Sequence, residues 1–457
     1  MNTDPALAGT LKLSELIGAL SYALDITEGQ PPGHCVRCCW IGMHIGRRIG
    51  LPEAQLWELY YTLLLKDLGC SSNAARICEL YLTDDLDFKR DYKTVGDSLP
   101  QVLGFVLKHT GLKAGLAERF RSVMTILRDG PEIARGLVAT RCQRGAEIAS
   151  LLRFPEGVAS GIYSLDEHFN GNGKPARLQG EAIPIHARIA LLAQVIDVFH
   201  TQGGRGAALA EARARSGQWF DPRLVDAFAE EAQSDGFWQT LAGPGIDAAV
   251  AALEPSGQGR QHVLDEDYLD DIATAFGQVV DAKSPYTSGH SARVALYTDM
   301  IGESLGLSLQ RRRWLKRGAL LHDVGKLGVS NSVLDKAGAL DRAEWDAVKR
   351  HAEFTETILG RIEAFRELAL IAGAHHERLD GSGYPRGLAA DEINLETRII
   401  TTADIFDAIT AERPYRGAIP IPQALEMMRK TVGTALDADC FEALVRAVER
   451  VPFPEAA

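Results

Sequence analysis

The chain has 457 residues, 46% hydrophobic and 24% charged, with a formal net charge of −12. That length exceeds one ordinary core and predicts two domains. The acidic balance argues against broad, sequence-independent binding of a nucleic-acid polymer, which needs a basic surface.

Met1 to Thr10 lacks the basic and apolar regions of a signal peptide, and no stretch approaches the roughly 20 apolar residues of a membrane span. The seven cysteines show no disulfide spacing. A cytoplasmic protein with no membrane contact is expected. Ala, Leu, Glu and Arg dominate and β-branched alternation is scarce, so the fold class expected is all-α. Apolar residues recur at helical spacing from Ser14 to Leu24, and Gln30-Pro31-Pro32-Gly33 breaks the chain before a helix starting near His34. Gly50-Leu51-Pro52 separates that helix from one running to Lys66-Asp67. Ser71 to Thr140 should hold several helices around an acidic turn, Thr83-Asp84-Asp85. Asn170-Gly171-Asn172-Gly173-Lys174-Pro175 reads as a loop, and Ile189 to Phe199 as an apolar helix. Residues 242–262 are Gly- and Pro-rich and read as a linker, after which Leu264, Tyr268, Ile272, Phe276 and Val279 mark an amphipathic helix.

An internal repeat fixes the domain count. Gly33-His34 and Arg37 match Gly289-His290 and Arg293, and 32 residues on from each histidine Lys66-Asp67 falls on His322-Asp323. After an insertion in the first half, Gly171, Gly173 and Pro175 fall on Gly381, Gly383 and Pro385, and Arg188 on Arg398. Two copies of one helical domain are expected, at 1–241 and 263–457.

The second copy concentrates donors. Five of the six histidines after residue 260 fall in ordered motifs: His290, His322, His351, His375 and His376, with Asp323 and Asp404 completing the set. A lone His–Asp pair would be weak, because Asp often only orients a histidine. The whole set exceeds chance clustering. Imidazole and carboxylate without thiolate suit Fe, Mn, Co, Ni or Zn better than Ca or Mg. Seven donors exceed one ion's needs, so two ions are expected, with a short carboxylate such as Asp323 able to bridge them. Such a pair suits hydrolysis of a phosphate ester. Lys326 is either a charge beside a phosphate or a lysine favoured at a helix end. Arg413-Pro414-Tyr415-Arg416 offers two arginines to a dianionic ligand, or is a solvated loop. Arg311-Arg312-Arg313 reads as a solvated helix face.

His322-Asp323 followed by Gly325-Lys326 resembles the core of the HD phosphohydrolase superfamily. His375-His376-Glu377-Arg378 with Asp380-Gly381 and Gly383-Tyr384-Pro385 closely resembles the HD-GYP family, over about Leu264 to Val445. The resemblance implies tandem helical bundles and a binuclear cyclic di-GMP phosphodiesterase that yields pGpG and then GMP. His290, His322, Asp323, His351, His375, His376 and Asp404 would hold two divalent ions, Fe or Mn. Asp323 and Lys326 would be catalytic, and Lys326 would contact the scissile phosphate. Arg378, Asp380, Gly381, Gly383, Tyr384 and Pro385, with Arg413 and Arg416, would receive the substrate. Tyr286 stands where members with a third metal carry Glu, which again implies two ions. Ala352 and Thr355 replace the usual proline and glycine after His351. The alternatives are a non-hydrolytic dinucleotide-binding adaptor and a hydrolase of another nucleotide, such as cyclic GMP-AMP or a dNTP. A homodimer and signalling partners are left open.

The first copy keeps only His34 and Asp67. Lys66, Arg141, Leu165, Asp166 and Gln194 replace the other donors, which implies a degenerate domain without hydrolase activity. It would dimerise, sense a ligand or hold the catalytic half in a given state. Cys35, Cys38 and Cys39, with Cys70 and Cys142, would be buried small hydrophobes there in preference to a thiolate metal site.

Overall fold

The computed structural model describes residues 12–96, 99–112, 114–255, 264–412 and 416–450. Among these there are helices and three isolated bridges but no strand, as the composition predicts. None of these helices is long and apolar enough to cross a membrane. The chain divides into two compact units that part between Glu266 and Asp267.

In the second unit the amphipathic pattern after Leu264 becomes the helix Glu266–Asp281, which buries Tyr268, Ile272, Phe276 and Val279 along one face. The other helices start at the side chains that chemistry favours. Ser308 accepts from Arg311 N at the head of Leu309–Leu321. Asp341 and Glu344 form a reciprocal capping box at the head of Arg342–Gly360. Asn394 accepts from Thr397 N at the head of Leu395–Thr410. His290–Ser304 packs against Leu309–Leu321, Leu395–Thr410 and Ala438–Arg450. Its core is Val294, Ile301, Leu315, Ile400, Phe406 and Leu444, all buried. Burying each such side chain contributes about 1.5–3 kcal/mol.

The first unit repeats this plan. His34–Arg48 packs against Glu53–Leu65 and Ile185–Ala214. The backbone repeats at fine scale as well. A Cβ on Gly69 would lie 1.9 Å from Arg141 O, and one on Gly325 would lie 2.0 Å from His351 O, so only glycine lets the turn after the His–Asp position meet the next helix. The insertion is helical: Ala74–Tyr81, Asp85–Tyr92, Leu99–His109 and the long Leu116–Leu151, with a small core of its own around Ile77, Phe88, Phe105 and Ile126. The acidic turn is a cap, since Asp84 accepts from Leu86 N and Asp87 N.

One boundary changes. The stretch 242–262, expected to be a linker, begins with the helix Ile246–Ala251, which buries Ile246 and Val250 against Leu13–Thr27 and His34–Arg48. Two apolar anchors outweigh the Gly and Pro content around them. Residues 256–262 of that stretch lie outside the described residues.

Candidate metal centre

The seven expected donors converge in the second unit. His290 opens its helix after Gly289, whose positive φ turns the chain inward. His322 ends Leu309–Leu321, His351 lies within Arg342–Gly360, and Asp404 lies within Leu395–Thr410. His375 and His376 follow Arg366–Gly373. All seven are buried or nearly so, although an isolated imidazole or carboxylate pays a desolvation cost there.

The rings are held from behind. His322 Nδ1 lies 2.7 Å from Ala319 O, His351 Nδ1 2.5 Å from Val348 O, and His375 Nδ1 2.6 Å from Ala372 O. A carbonyl oxygen only accepts, so each Nδ1 carries a proton and each ring turns its Nε2 inward. Asp407 does the same for His290, at 2.7 Å from Nδ1, and also receives Arg293. Asp323 lies where these Nε2 atoms point. Its Oδ2 is 3.2 Å from His290 Nε2 and 3.3 Å from His322 Nε2. Its Oδ1 is 3.4 Å from His351 Nε2 and 3.7 Å from His375 Nε2. Asp404 Oδ1 adds a second carboxylate on the His290–His322 side, at 3.5 and 3.8 Å.

This arrangement fits a bound cation. Among the described residues, His290 Nε2, His322 Nε2 and Asp323 Oδ1 are buried without a hydrogen-bond partner. The donors form three groups whose ligand atoms lie within 4.8 Å of one another: His290–His322–Asp404, His322–Asp323–His375 and His351–His375–His376. Electrostatics points the same way. Burial works against a charged His322, yet Asp323 and Asp404 raise it to about 10. Burial, with neighbouring positive charge, takes His351 down to about 4 and His376 to about 3, so both rings are neutral at ordinary pH. Against the cost of burial, His322 and Lys326 hold the Asp323 carboxyl well below its usual range.

Lys326 lies one 3-10 turn beyond Asp323 and pairs with it, partly exposed. The loop that follows His376 is built by Glu377, a residue whose role sequence reasoning missed. Its buried carboxylate accepts from Arg386 N at 2.7 Å and Leu388 N at 2.9 Å. Gly383 is required because a Cβ would lie 2.4 Å from Arg378 N. Gly381 has a φ of +76°. Both glycines therefore serve the loop's own closure. Asp380 accepts from Ser382 N and Oγ at the exposed tip, and Arg378 is exposed beside it. Tyr384, next to Pro385, reaches the metal centre, with its ring 4.7 Å from that of His376.

Two expectations change. Arg416 donates to Ala408 O and Ile409 O and so closes the end of Leu395–Thr410, which takes up the guanidinium expected to meet substrate. Arg413 lies outside the described residues. Thr355, which stands where glycine was expected, joins two motifs by accepting from Gly325 N and donating to His322 O.

In the first unit the corresponding positions are filled from within. Lys66 pairs with Asp67 and reaches Gln194 Oε1 at 3.2 Å, and Arg141 pairs with Asp166. His34 keeps its rear partner, Asp197, at 2.6 Å. Cys35 and Cys70 face Asp67 at 3.5 and 3.6 Å, and burial pushes both thiols up.

The HD domain family model matches residues 134–224 and 275–440. The 3'3'-cGAMP-specific phosphodiesterase 3 of Vibrio cholerae is 57% identical over 97% of this chain and 96% of its own. A crystal structure of a cyclic GMP-AMP specific phosphodiesterase from V. cholerae superposes with a TM-score of 0.66 at 51% identity, covering 96% of this chain and 98% of that one. A cyclic di-GMP phosphodiesterase response regulator of Xanthomonas campestris is 39% identical over 37% of this chain and 45% of its own.

Proposed function

The chain belongs to the HD domain family, and from that premise we propose that it is a metal-dependent phosphodiesterase whose substrate is 3'3'-cyclic GMP-AMP. The observation that carries the substrate is the end-to-end likeness to a 3'3'-cGAMP-specific enzyme. The likeness to cyclic di-GMP phosphodiesterases such as that of Xanthomonas covers a smaller part of the chain. The expectation of cyclic di-GMP therefore gives way to the mixed dinucleotide.

His290, His322, Asp404 and Asp323 Oδ2 would hold one divalent ion, and His351, His375, His376 and Asp323 Oδ1 a second. Bound there, such ions supply an acidified water and neutralise phosphate charge. The remaining work falls to side chains. Lys326 sets a cation beside the phosphate as negative charge grows on its oxygens. Tyr384 offers a ring face to a base, and Arg378 a donor fork at the rim. Water adds to phosphorus, the ribose 3′ oxygen departs with a proton, and a linear dinucleotide with a 5′ phosphate results.

The test is product analysis by ion-pair chromatography of full-length, metal-loaded protein on equal amounts of 3'3'-cyclic GMP-AMP and cyclic di-GMP. Faster loss of the mixed dinucleotide is expected. Preference for cyclic di-GMP would reverse the substrate assignment, and cleavage of neither would favour the non-hydrolytic adaptor.

A further inference from the structure

The first unit has lost five of the seven donors but has kept an opening over their positions. A cavity of about 170 Å³ lies there, reaching Gln194, Arg141 and Asp166 at the positions that hold metal donors in the second unit. A relic with nothing to hold should fill with apolar side chains, because unmet polar groups are costly in an interior. This cavity has instead kept polar groups without partners. Glu28 is 1% exposed, and its Oε2 pairs with Lys93 at 2.9 Å while its Oε1 accepts nothing. Burial alone would raise this carboxyl, but Lys93, with Lys89 and Arg141 beyond, holds it down to about 2, so it is a carboxylate. Asn73, 8% exposed, likewise leaves its Oδ1 unpartnered. Both residues line the cavity.

The other walls narrow the ligand class. Tyr81, Phe88 and Tyr92 form an aromatic side, with Phe88 and Tyr92 within 6° of parallel. Lys89, Lys93, Arg141 and Lys174 stand against Glu28 and Asp166 in the lining, with Asp85 behind Lys89, which leaves a positive excess of one. Among the described residues Lys174 has no acidic partner, and it is half-buried on the loop that corresponds to the Gly-Tyr-Pro loop. The ligand should therefore be an anion carrying a flat ring. Among bases, guanine turns two adjacent N–H donors outward, which suits an unmet carboxylate oxygen such as Glu28 Oε1. Adenine offers one amino group and no carbonyl.

We propose that this cavity of the first unit binds a guanine nucleotide, base toward Glu28 and phosphate toward Lys174, without cleaving it. The inference rests on the cavity and not on the substrate of the second unit.

The test uses the full chain carrying Asp323→Ala, stripped of metal with a chelator, and isothermal titration with GMP. One GMP per chain is expected. AMP should bind about tenfold more weakly or worse, and Lys174→Glu should weaken GMP by about tenfold or more, since a charge-assisted phosphate contact becomes a repulsion. Lys174→Arg should retain binding, and Glu28→Gln should abolish the preference for GMP over AMP. Lys174 is half-exposed, so its variants should fold, which circular dichroism would verify. The proposal is overturned if GMP does not bind at about 1 mM, if AMP binds equally well, or if Lys174→Glu leaves the affinity unchanged.

Discussion

Asp323 and Lys326 touch one another, yet they should fail differently when replaced. Asp323→Ala removes the carboxylate whose two oxygens face two sets of rings, so metal content and turnover should fall together, by elemental analysis and assay of the same sample. Lys326→Ala leaves every donor in place. It should keep its metal and lose about 10²–10³-fold in kcat, as the loss of one preorganised cation does. If Lys326→Ala also lost its metal, the lysine would be structural. Asp407→Asn tests the support behind His290: metal affinity should drop about 10–100-fold by competition with a chelating dye, with the ring left in place. These donors could be read from the sequence because few side chains bind such ions and five histidines in ordered motifs stand out. Asp407 was harder to assign, since a carboxylate three residues after Asp404 is a ligand or a support only according to which ring it meets. Arg416 was misread for a related reason: a guanidinium suits a phosphate and a helix end equally well, and only the fold says which is near.

At the scale of the element, two contacts set the geometry of the site. The turn after His322-Asp323 presses against His351 so closely that Gly325→Ala must displace one of them. A cost of about 1–3 kcal/mol is expected, read as a lower denaturation midpoint, together with reduced metal content because His351 moves. Glu377→Gln should spare metal binding and raise KM more than it lowers kcat, because it removes the charge that gathers the loop carrying Arg378 and Tyr384. Equal effects of Glu377→Gln on metal and on KM would mean that the loop also holds His376. The helices themselves were legible: helical spacing predicted Glu266–Asp281, and the break at Pro31-Pro32-Gly33 predicted the helix opening at His34. The helix Ile246–Ala251 was hidden because six residues between glycines carry little periodicity, and the identity of its packing surface is settled far away in sequence.

At the scale of the molecule, the repeat was countable from glycines and charges, and the structure repeats its backbone contacts at Gly69 and Gly325. The insertion could be located but not interpreted, since its helices form a satellite core that no part of the second unit mirrors. The two units differ most in how the central carboxylate is neutralised. Asp67 has Lys66, a cation on a covalent tether that cannot diffuse away. Asp323 has Lys326 on Oδ2 only, and among the described residues its Oδ1, which faces His351 and His375, has no hydrogen-bond partner. Chelation should therefore loosen the chain on one side only. Hydrogen exchange with and without chelator should speed up in peptides around His322 and His375 and stay constant around Lys66 and Asp67. Equal loss of protection in both would contradict the idea that a lysine has taken over the role of an ion. In a cell short of metal, the half built around Lys66 would stay folded while its neighbour idled, a protein that keeps its shape at one end whatever the supply at the other.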